Sequence, residues 1–233
     1  LTYEKKHELN LGIDLGFLDN RINFSMDWYK RKNYDLIGWL STTGLDGEIG
    51  KYANVASMRS HGIELTLSTR NIAKDFKWNT DFIFSKTKNK VTDLEAFSSV
   101  MDMVSGYGFA MQGYPVRSLF SLDFRGLNEE GLPTFINENG ELTTSNINFQ
   151  ERNNKSHLIY EGTTDPTITG SLGNMFSYKG FRLNLFITYS FGNVIRLNPV
   201  FKAYYSDLTA MTREFKNRWT LPGDEAKTNV PAI

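Results

Sequence analysis

The sequence predicts an all-β protein, a segment of a large antiparallel transmembrane β-barrel with long extracellular loops. Two observations predict this fold. Apolar and polar side chains alternate over runs of about ten residues, the length that a tilted strand needs to cross a bilayer. The connections between the runs are alternately short and long, as they are in barrels of outer membranes.

The first hairpin shows the pattern most clearly. Residues 7–17 place apolar side chains at odd positions, and residues 21–30 place them at even positions after a turn at residues 18–20. The apolar side chains are Leu9, Leu11, Ile13, Leu15 and Phe17, followed by Ile22, Phe24, Met26 and Trp28. Strands of soluble sheets usually have about five or six residues, so the length of this hairpin favours a membrane wall.

The chain repeats this pattern twice. Residues 61–68 and 76–85 predict a second hairpin around a short link, although Thr80 and Ile83 break its strict alternation. Residues 167–178 and 181–191 predict a third hairpin around the turn Lys179-Gly180.

The intervening segments are expected to be loops. Residues 31–59, 86–118 and 137–165 are mostly polar and show little periodicity. Between them, residues 119–125 and 132–136 are weaker strand candidates.

The C-terminal tail predicts a short helix within a loop. Its apolar residues recur at helical spacing, either Ser206 or Asp207 is available as the N-cap, and Pro222 stops it. The helical positions are Leu208, Met211, Phe215 and Trp219.

The lengths of the connections predict the orientation in the membrane. The connections after Phe17, Arg70 and Tyr178 are short, whereas those after Lys30, Ser85 and Phe191 are long. In outer-membrane barrels the short turns face the periplasm and the long loops face outside. Residues 7–17 are therefore expected to run inward.

A soluble or surface-attached β-sandwich that binds glycan or protein is the alternative, because its strands alternate in the same way. The two folds differ in what covers the apolar rows. A second sheet buries them in a sandwich, whereas they face lipid in a barrel and stay bare in an isolated chain.

Composition narrows the class of protein further. The chain has 233 residues, with 26 basic and 26 acidic side chains and no cysteine, so neither a nucleic-acid surface nor a disulfide framework is indicated. No apolar run is long enough for a transmembrane helix, and no signal peptide is expected at Leu1. The chain is expected to be a segment of a longer protein.

Aromatic residues are the candidate functional side chains. Five are expected near strand ends, where their amphipathic rings favour the headgroup layer of a membrane: Trp28, Tyr29, Trp78, Tyr178 and Tyr189. Six others fall in predicted outer loops, where rings stack on sugars, contact a partner or, in the alternative interpretation, pack within the loop: Trp39, Tyr107, Phe109, Tyr114, Tyr204 and Tyr205.

No catalytic, cofactor or metal site is expected, and the protein is not predicted to be an enzyme. His7, His61 and His157 are tens of residues apart and lack the spacing of metal ligands. The acidic cluster Asp35, Asp46 and Glu48 lacks the regular spacing of a calcium loop.

An ordered set of short motifs resembles the barrel of the SusC/RagA family of TonB-dependent outer-membrane transporters. The longest are residues 4–14, Glu-Lys-Lys-His-Glu-Leu-Asn-Leu-Gly-Ile-Asp, and residues 20–30, Asn-Arg-Ile-Asn-Phe-Ser-Met-Asp-Trp-Tyr-Lys. The others include His61-Gly-Ile-Glu64, residues 84–91, Gly113-Tyr-Pro115, Asp165-Pro166, Tyr178-Lys-Gly-Phe181 and Arg218-Trp-Thr-Leu-Pro-Gly-Asp224.

This resemblance implies that residues 1–233 are a late part of one barrel domain, without the plug, the TonB box and the final strands of the family. It implies TonB-energised import of large nutrients, glycans or oligopeptides, across the outer membrane of a Bacteroidetes-type cell. It also implies a SusD-like surface lipoprotein as partner, contact with outer-membrane lipid and no nucleic acid. The loop before Asp165 departs from the family pattern at residues 137–141.

Overall fold

The computed structural model describes residues 1–41, 47, 49–95, 98–106, 108–197, 200 and 212–232. The chain divides into two compact units. The first consists of Leu1–Ala96, Ala110–Ser118 and Thr163–Val194, and the second of Phe97–Phe109, Leu119–Gly162 and Ile195–Ile233.

Strands dominate the described residues. They are β1 (Lys5–Phe17), β2 (Ile22–Ser41), β3 (Gly50–Ala73), β4 (Phe76–Leu94), β5 (Ser118–Leu127), β6 (Pro133–Ile136), β7 (Leu142–Thr143), β8 (Leu158–Thr163), β9 (Ile168–Tyr178) and β10 (Phe181–Phe191). The helical elements are α1 (Val100–Ser105) and the 3-10 helices Arg213–Asn217 and Asp224–Ala226.

The first unit is built on a six-stranded antiparallel sheet in the order β1-β2-β3-β4-β9-β10. Its three tight turns lie at one end, and the predicted hairpins are confirmed. Lys179 and Gly180 both adopt positive φ, 45° and 86°, the conformation of the turn that matches the twist of two paired strands.

The three middle strands are longer than predicted. β2, β3 and β4 have 20, 24 and 19 residues, so the prediction of a loop over residues 31–59 is wrong for most of that range, and so is the prediction for residues 86–94. Two physical causes hid this part of the sheet. Many side chains on both of its faces are polar, and irregular pairing near Leu36 and Ser57 breaks the period of two.

In the described part of the first unit, no second sheet covers the apolar side of this sheet. On the outer strands, Leu11 is 60% exposed and Ile187 is 61% exposed. Packing against another sheet would bury both side chains. The β-sandwich interpretation is therefore wrong, and the observed sheet is the open wall segment that the barrel prediction requires.

The second unit has a small core of its own. Its sheet has the order β7-β6-β5-β8, which confirms the strand candidates at residues 119–125 and 132–136. β8 corrects the prediction of a continuous loop over residues 137–165. The core contains Val100, Met103 and Phe120, each at most 1% exposed.

The helix α1 was not predicted from the sequence, because six residues carry too little periodicity. Its start is fixed by a capping box, in which the Ser99 side chain accepts from the backbone N–H of Asp102 and the Asp102 carboxylate accepts from the backbone N–H of Ser99. No helix in the described part of the chain has the length and apolar character that crossing a membrane requires.

The predicted C-terminal helix is found only in part. Phe215 lies in the 3-10 helix Arg213–Asn217, whereas Trp219 follows it outside any helix. Leu208, Met211 and both candidate caps, Ser206 and Asp207, lie outside the described residues.

Candidate functional site

One face of the six-stranded sheet carries a continuous apolar surface, because the register places apolar side chains opposite each other. Ile13 lies opposite Met26, and Met26 lies opposite Leu65. Leu65 in turn lies opposite Phe84. This surface, the apolar band, consists of odd residues 9–17, even residues 22–28, odd residues 63–67, Phe82, Phe84, Ile168, Leu172, Phe176 and odd residues 181–191.

The opposite face of the sheet is polar and internally paired. Ser25 donates to the Asp14 carboxylate at 2.5 Å, and Ser68 donates to the Asp81 carboxylate at 2.7 Å. These bonds run between neighbouring strands, so they satisfy carboxylates that point away from the apolar band. A wall of this kind can face lipid on one side and water on the other.

Tyr29 belongs to the polar face, which corrects its predicted role as an aromatic of the lipid interface at a strand end. Its ring packs over Gly62 and is 5% exposed, and its hydroxyl lies 2.7 Å from the Thr87 hydroxyl. The Arg31 guanidinium lies 4.0 Å from the ring centroid. The neighbouring Trp28 lies in the apolar band, but β2 continues for many residues beyond it, so its predicted position at a strand end is wrong.

Trp78 and Tyr178 lie near the end of the sheet that carries the tight turns. Trp78 stacks on Phe176 at 5.7 Å, and its indole N–H donates to the Asn174 side chain at 3.0 Å. Tyr178 is the last residue of β9, and the Lys179 ammonium lies 5.3 Å from its ring centroid. Amphipathic rings at this level suit a headgroup layer, and that role stays a prediction.

Tyr189 lies two residues before the end of β10, towards the long connections. Its ring packs over Gly170, and its hydroxyl donates to the carbonyl oxygen of Ile83 at 2.9 Å. Tyr189 therefore ties three adjacent strands together. Its membrane-interface role also stays a prediction.

Trp39 lies on β2 and not in a loop. Its ring meets that of Tyr52 edge-on at 5.4 Å, and the two residues are directly opposite in register. They are 52% and 65% exposed, so the pair presents bare aromatic surface on the polar extension of the sheet. Sequence analysis missed Tyr52, because only the register brings it to Trp39.

Of the other predicted loop aromatics, the structure describes Phe109 and Tyr114. Phe109 packs against Gly106 in the second unit, whereas Tyr114 belongs to a segment of the first unit that pairs with Val91 of β4. Tyr107, Tyr204 and Tyr205 lie outside the described residues. Their contacts with cargo or a partner stay predictions.

The second unit has a groove of about 540 Å³ beside β5. Arg196 crosses it and donates to the Phe120 carbonyl oxygen at 2.8 Å, while Ser121 donates to the Glu161 carboxylate. No sequence motif marked this groove, because its residues come from distant parts of the chain. Its polar groups bind each other.

Hydrogen bonds lower the pKa values of two carboxyls in this unit, those of Asp102 and Glu225. Hydrogen bonds from the backbone and hydroxyl of Ser99 lower the pKa of Asp102. The indole N–H of Trp219 donates to Glu225 at 2.9 Å and lowers the pKa of that carboxyl. Neither carboxyl is suited to act as a general acid near neutral pH.

No group of three or more potential metal ligands occurs among the residues that the structure describes. Asp35 binds Lys5 at 2.7 Å, and the other two members of the acidic cluster, Asp46 and Glu48, lie outside the described residues. His7 packs edge-on against Tyr34, and His157 is buried.

Comparison with known proteins agrees with this geometry. A family model described as TonB dependent receptor-like, beta-barrel, matches residues 1–198. The whole chain aligns with TonB-dependent receptor P3 of Formosa agariphila at 27% sequence identity, and the alignment covers 25% of that receptor. It is also 25% identical to TonB-dependent receptor SusC of Bacteroides thetaiotaomicron, over 84% of this chain and 20% of SusC.

A solved structure described as the RagAB peptide transporter shares the fold. The TM-score is 0.75 at 21% identity, over 99% of this chain and 25% of the other. The chain thus spans about a quarter of the length of the relatives that it matches. It belongs to the TonB-dependent receptor-like β-barrel family and forms part of the wall of an outer-membrane β-barrel.

Proposed function

We propose that the protein containing this chain imports large nutrients across the outer membrane and that this chain supplies part of the channel wall. The observation that carries the proposal is the pairing of an apolar band on one face with a hydrogen-bonded polar face on the other. Lipid covers the first and the second lines an aqueous interior, as transport through a barrel requires. The proposed role is transport, with no catalytic step.

The proposed complex contains a SusD-like surface lipoprotein, and the energy comes through TonB. Similarity to SusC and to the RagA fold supports this assignment. The cargo is a glycan or an oligopeptide, and the RagAB structure is described as that of a peptide transporter. We assign no cargo more narrowly, because loops determine specificity and these vary among proteins of one fold.

Trp39 and Tyr52 are the proposed contact for cargo or for the lipoprotein. They lie on the part of the sheet beyond the apolar band, where β2 and β3 continue towards the long connections. Two exposed rings held edge-on offer a rigid surface to sugar faces or to apolar peptide side chains.

The first experiment places an affinity tag on the complete protein in its native host. Fractionation is followed by pull-down in mild detergent, and a deletion strain is grown on glycan or on peptide as the limiting nutrient. We expect recovery from the outer membrane with a co-purifying lipoprotein, and a growth defect on one nutrient class. Normal growth of the deletion strain on every glycan and peptide offered would contradict import.

A second experiment tests the aromatic pair. Purified complex carrying Trp39→Ala and Tyr52→Ala should bind its cargo or its lipoprotein about fivefold more weakly. The matched control, Trp39→Phe with Tyr52→Phe, keeps both rings and should bind nearly as well as the wild type. Equal binding by all three proteins would remove the pair from the proposal.

A further inference from the structure

The apolar band ends in basic side chains on three neighbouring strands. On β2 and β3 the side chains of this face change from apolar to basic at the same register position, and on β4 the change comes one same-face position earlier, at Lys86, which lies opposite Ile63. Trp28 and Ile63 are the last apolar residues on β2 and β3, and the next same-face residues are Lys30 and His61, which lie opposite each other. The basic rows, as we call them, are Lys30, His61 and Lys88, followed by Lys32, Arg59 and Lys90.

The basic rows have no acidic counterpart on their own face. All six side chains are exposed, and none forms an ion pair with a residue that the structure describes. At the same level, Glu8 lies on the polar face, where Lys6 and Arg31 bind it at 2.6 and 2.8 Å. The positive charge of the rows is therefore not neutralised within the described chain.

Repulsion between neighbouring like charges in the basic rows lowers the stability of the sheet when no anion is bound. Arg59 lies directly opposite Lys32 on one side and Lys90 on the other. Side chains in such positions have Cβ atoms about 5 Å apart, and like charges there destabilise the sheet. An anion bound between the strands would remove this cost.

The surface over β3 and β4 is shaped to hold such an anion. A groove of about 670 Å³ is lined by basic residues from both rows and by Gln112 and Gly113. The loop that supplies its rim is fixed by hydrogen bonds, from the backbone N–H of Gly113 to Val91 and from the Gln112 side chain to the Thr92 carbonyl oxygen at 3.0 Å. The groove is therefore part of the folded sheet.

The depth of the basic rows in the membrane follows from the strands. The apolar residues of β1 span residues 9–17, which matches the roughly nine to eleven residues of a membrane-crossing strand. Lys30 lies opposite Leu9, at the outer end of this span, and Lys32 lies beyond it, opposite His7. Both rows are on the side of the long connections, which face outside in an outer-membrane barrel. Their charges thus lie at the level of the headgroups of the outer leaflet.

We infer that the basic rows bind the phosphate groups of an anionic glycolipid in the outer leaflet. The phosphates lie in the groove between β3 and β4, and the acyl chains run down the adjoining apolar band over Ile63 and Phe84. A molecule with phosphate at one end and hydrocarbon at the other matches the boundary between these two surfaces. A free phosphate or an acidic protein segment would leave the apolar half of the boundary unused.

The test uses the complete protein, purified in detergent and titrated with bis-phosphorylated lipid A carrying a fluorescent label. The triple variant Lys32→Gln, Arg59→Gln, Lys90→Gln should bind at least about tenfold more weakly than the wild type. The control triple variant Lys74→Gln, Lys77→Gln, Arg182→Gln removes the same charge near the tight turns and should bind like the wild type. Equal loss in both variants would show only an effect of net charge and would overturn the site.

Two further measurements use only wild-type protein, so they decide the question even if the variant fails to fold. Dephosphorylated lipid A should bind at least about tenfold more weakly, and added salt should weaken only the binding of the phosphorylated form. Indifference to the phosphates would overturn the inference. Complete displacement by inorganic phosphate at low concentration would assign the groove to a free anion instead. This site depends on membrane orientation but not on import, so failure of either proposal leaves the other standing.

Discussion

The Tyr189 hydroxyl on β10 donates a hydrogen bond of 2.9 Å to the Ile83 carbonyl oxygen on β4, although β9 lies between these two strands. The ring crosses β9 at Gly170, where the absence of a side chain leaves room for it. This hydrogen bond thus links β10 to β4 across β9, the strand that follows the longest connection in the chain.

Tyr189→Phe should destabilise the barrel by about 1 kcal/mol, since it removes a single hydrogen bond and keeps the ring. Urea unfolding of the complete protein in lipid vesicles measures this change. Tyr178→Phe is the matched control, because Tyr178 is 47% exposed at the end of its strand and should tolerate the loss of its hydroxyl. A loss of similar size in both variants would mean that the bond to Ile83 has no special weight.

Gly170→Ala should destabilise the same region more strongly, by about 1 to 3 kcal/mol. A Cβ atom there would overlap the Ile83 carbonyl oxygen and the Tyr189 hydroxyl, and the backbone oxygen cannot move without disturbing the strand pair. Gly173→Ala lies on the same strand, and its Cβ would come no closer than 3.3 Å to the flexible side chain of Phe186. Vesicle unfolding curves should rank these two variants in that order, and the reverse order would contradict the packing described for Tyr189.

The apolar band predicts a strong difference between two adjacent residues. Leu65→Lys places a charge in the middle of the band and should cost about 2 to 4 kcal/mol near the bilayer centre. Thr66→Lys, one residue further, points to the polar face and should cost much less. The amount of each variant inserted into the outer membrane is compared. Folded barrels are identified on gels by the change in their mobility on heating. Equal insertion would contradict the assignment of the two faces.

The capping box of α1 predicts a dependence on pH. Hydrogen bonds from Ser99 lower the pKa of Asp102 below its ordinary value of 3.8, so the bonds favour the charged carboxylate. Their contribution to stability is present above that ordinary value and is lost as the pH falls through the lowered pKa. Hydrogen exchange of residues 100–105 should therefore accelerate in acid beyond its intrinsic change, and Asp102→Asn should abolish this extra acceleration.

The same helix offers a substitution at its first turn. Ser99→Ala should weaken it by about 1 kcal/mol, because the N-cap oxygen that accepts from Asp102 is lost. Ser105→Ala is the control within the helix, since that hydroxyl donates only to a carbonyl one turn earlier. Exchange of the α1 amides at neutral pH separates the two, and unchanged exchange in Ser99→Ala would refute the cap.

Sequence predicted the three hairpins because the bilayer imposes a strict chemical code on both faces of a strand. Outside the bilayer this code is absent. The outer halves of β2 and β3 mix polar residues such as Lys32 and Asn54 with apolar residues such as Leu36. Irregular pairing near Leu36 also changes which face of the sheet the following side chains occupy. Nothing in their hydropathy separates such strands from loops. β8 was missed for the same reason, since Glu161 and Tyr160 are both exposed on it.

The roles of single aromatic residues depended on register, which the sequence did not specify. Tyr29 directly follows Trp28 in the sequence, yet the two rings lie on opposite faces of the sheet. Burial of Tyr29 required Gly62 on the next strand. A glycine that lies opposite an aromatic residue on the neighbouring strand can be recognised as its packing site only once the pairing is known. The basic rows were likewise scattered in the sequence as ordinary polar residues.

The pairing of β4 with β9 has a consequence for how this protein can change over evolutionary time. These strands are hydrogen-bonded neighbours, although residues 95–167, with a folded core of their own, separate them in the chain. Closing such a loop becomes only about 0.6 kcal/mol harder each time its length doubles. Outside residues 110–118, which pair with β4, residues of this segment can therefore be inserted, deleted or exchanged while the wall keeps its register. Selection can thus change the folded insertion without redesigning the strands that form the wall.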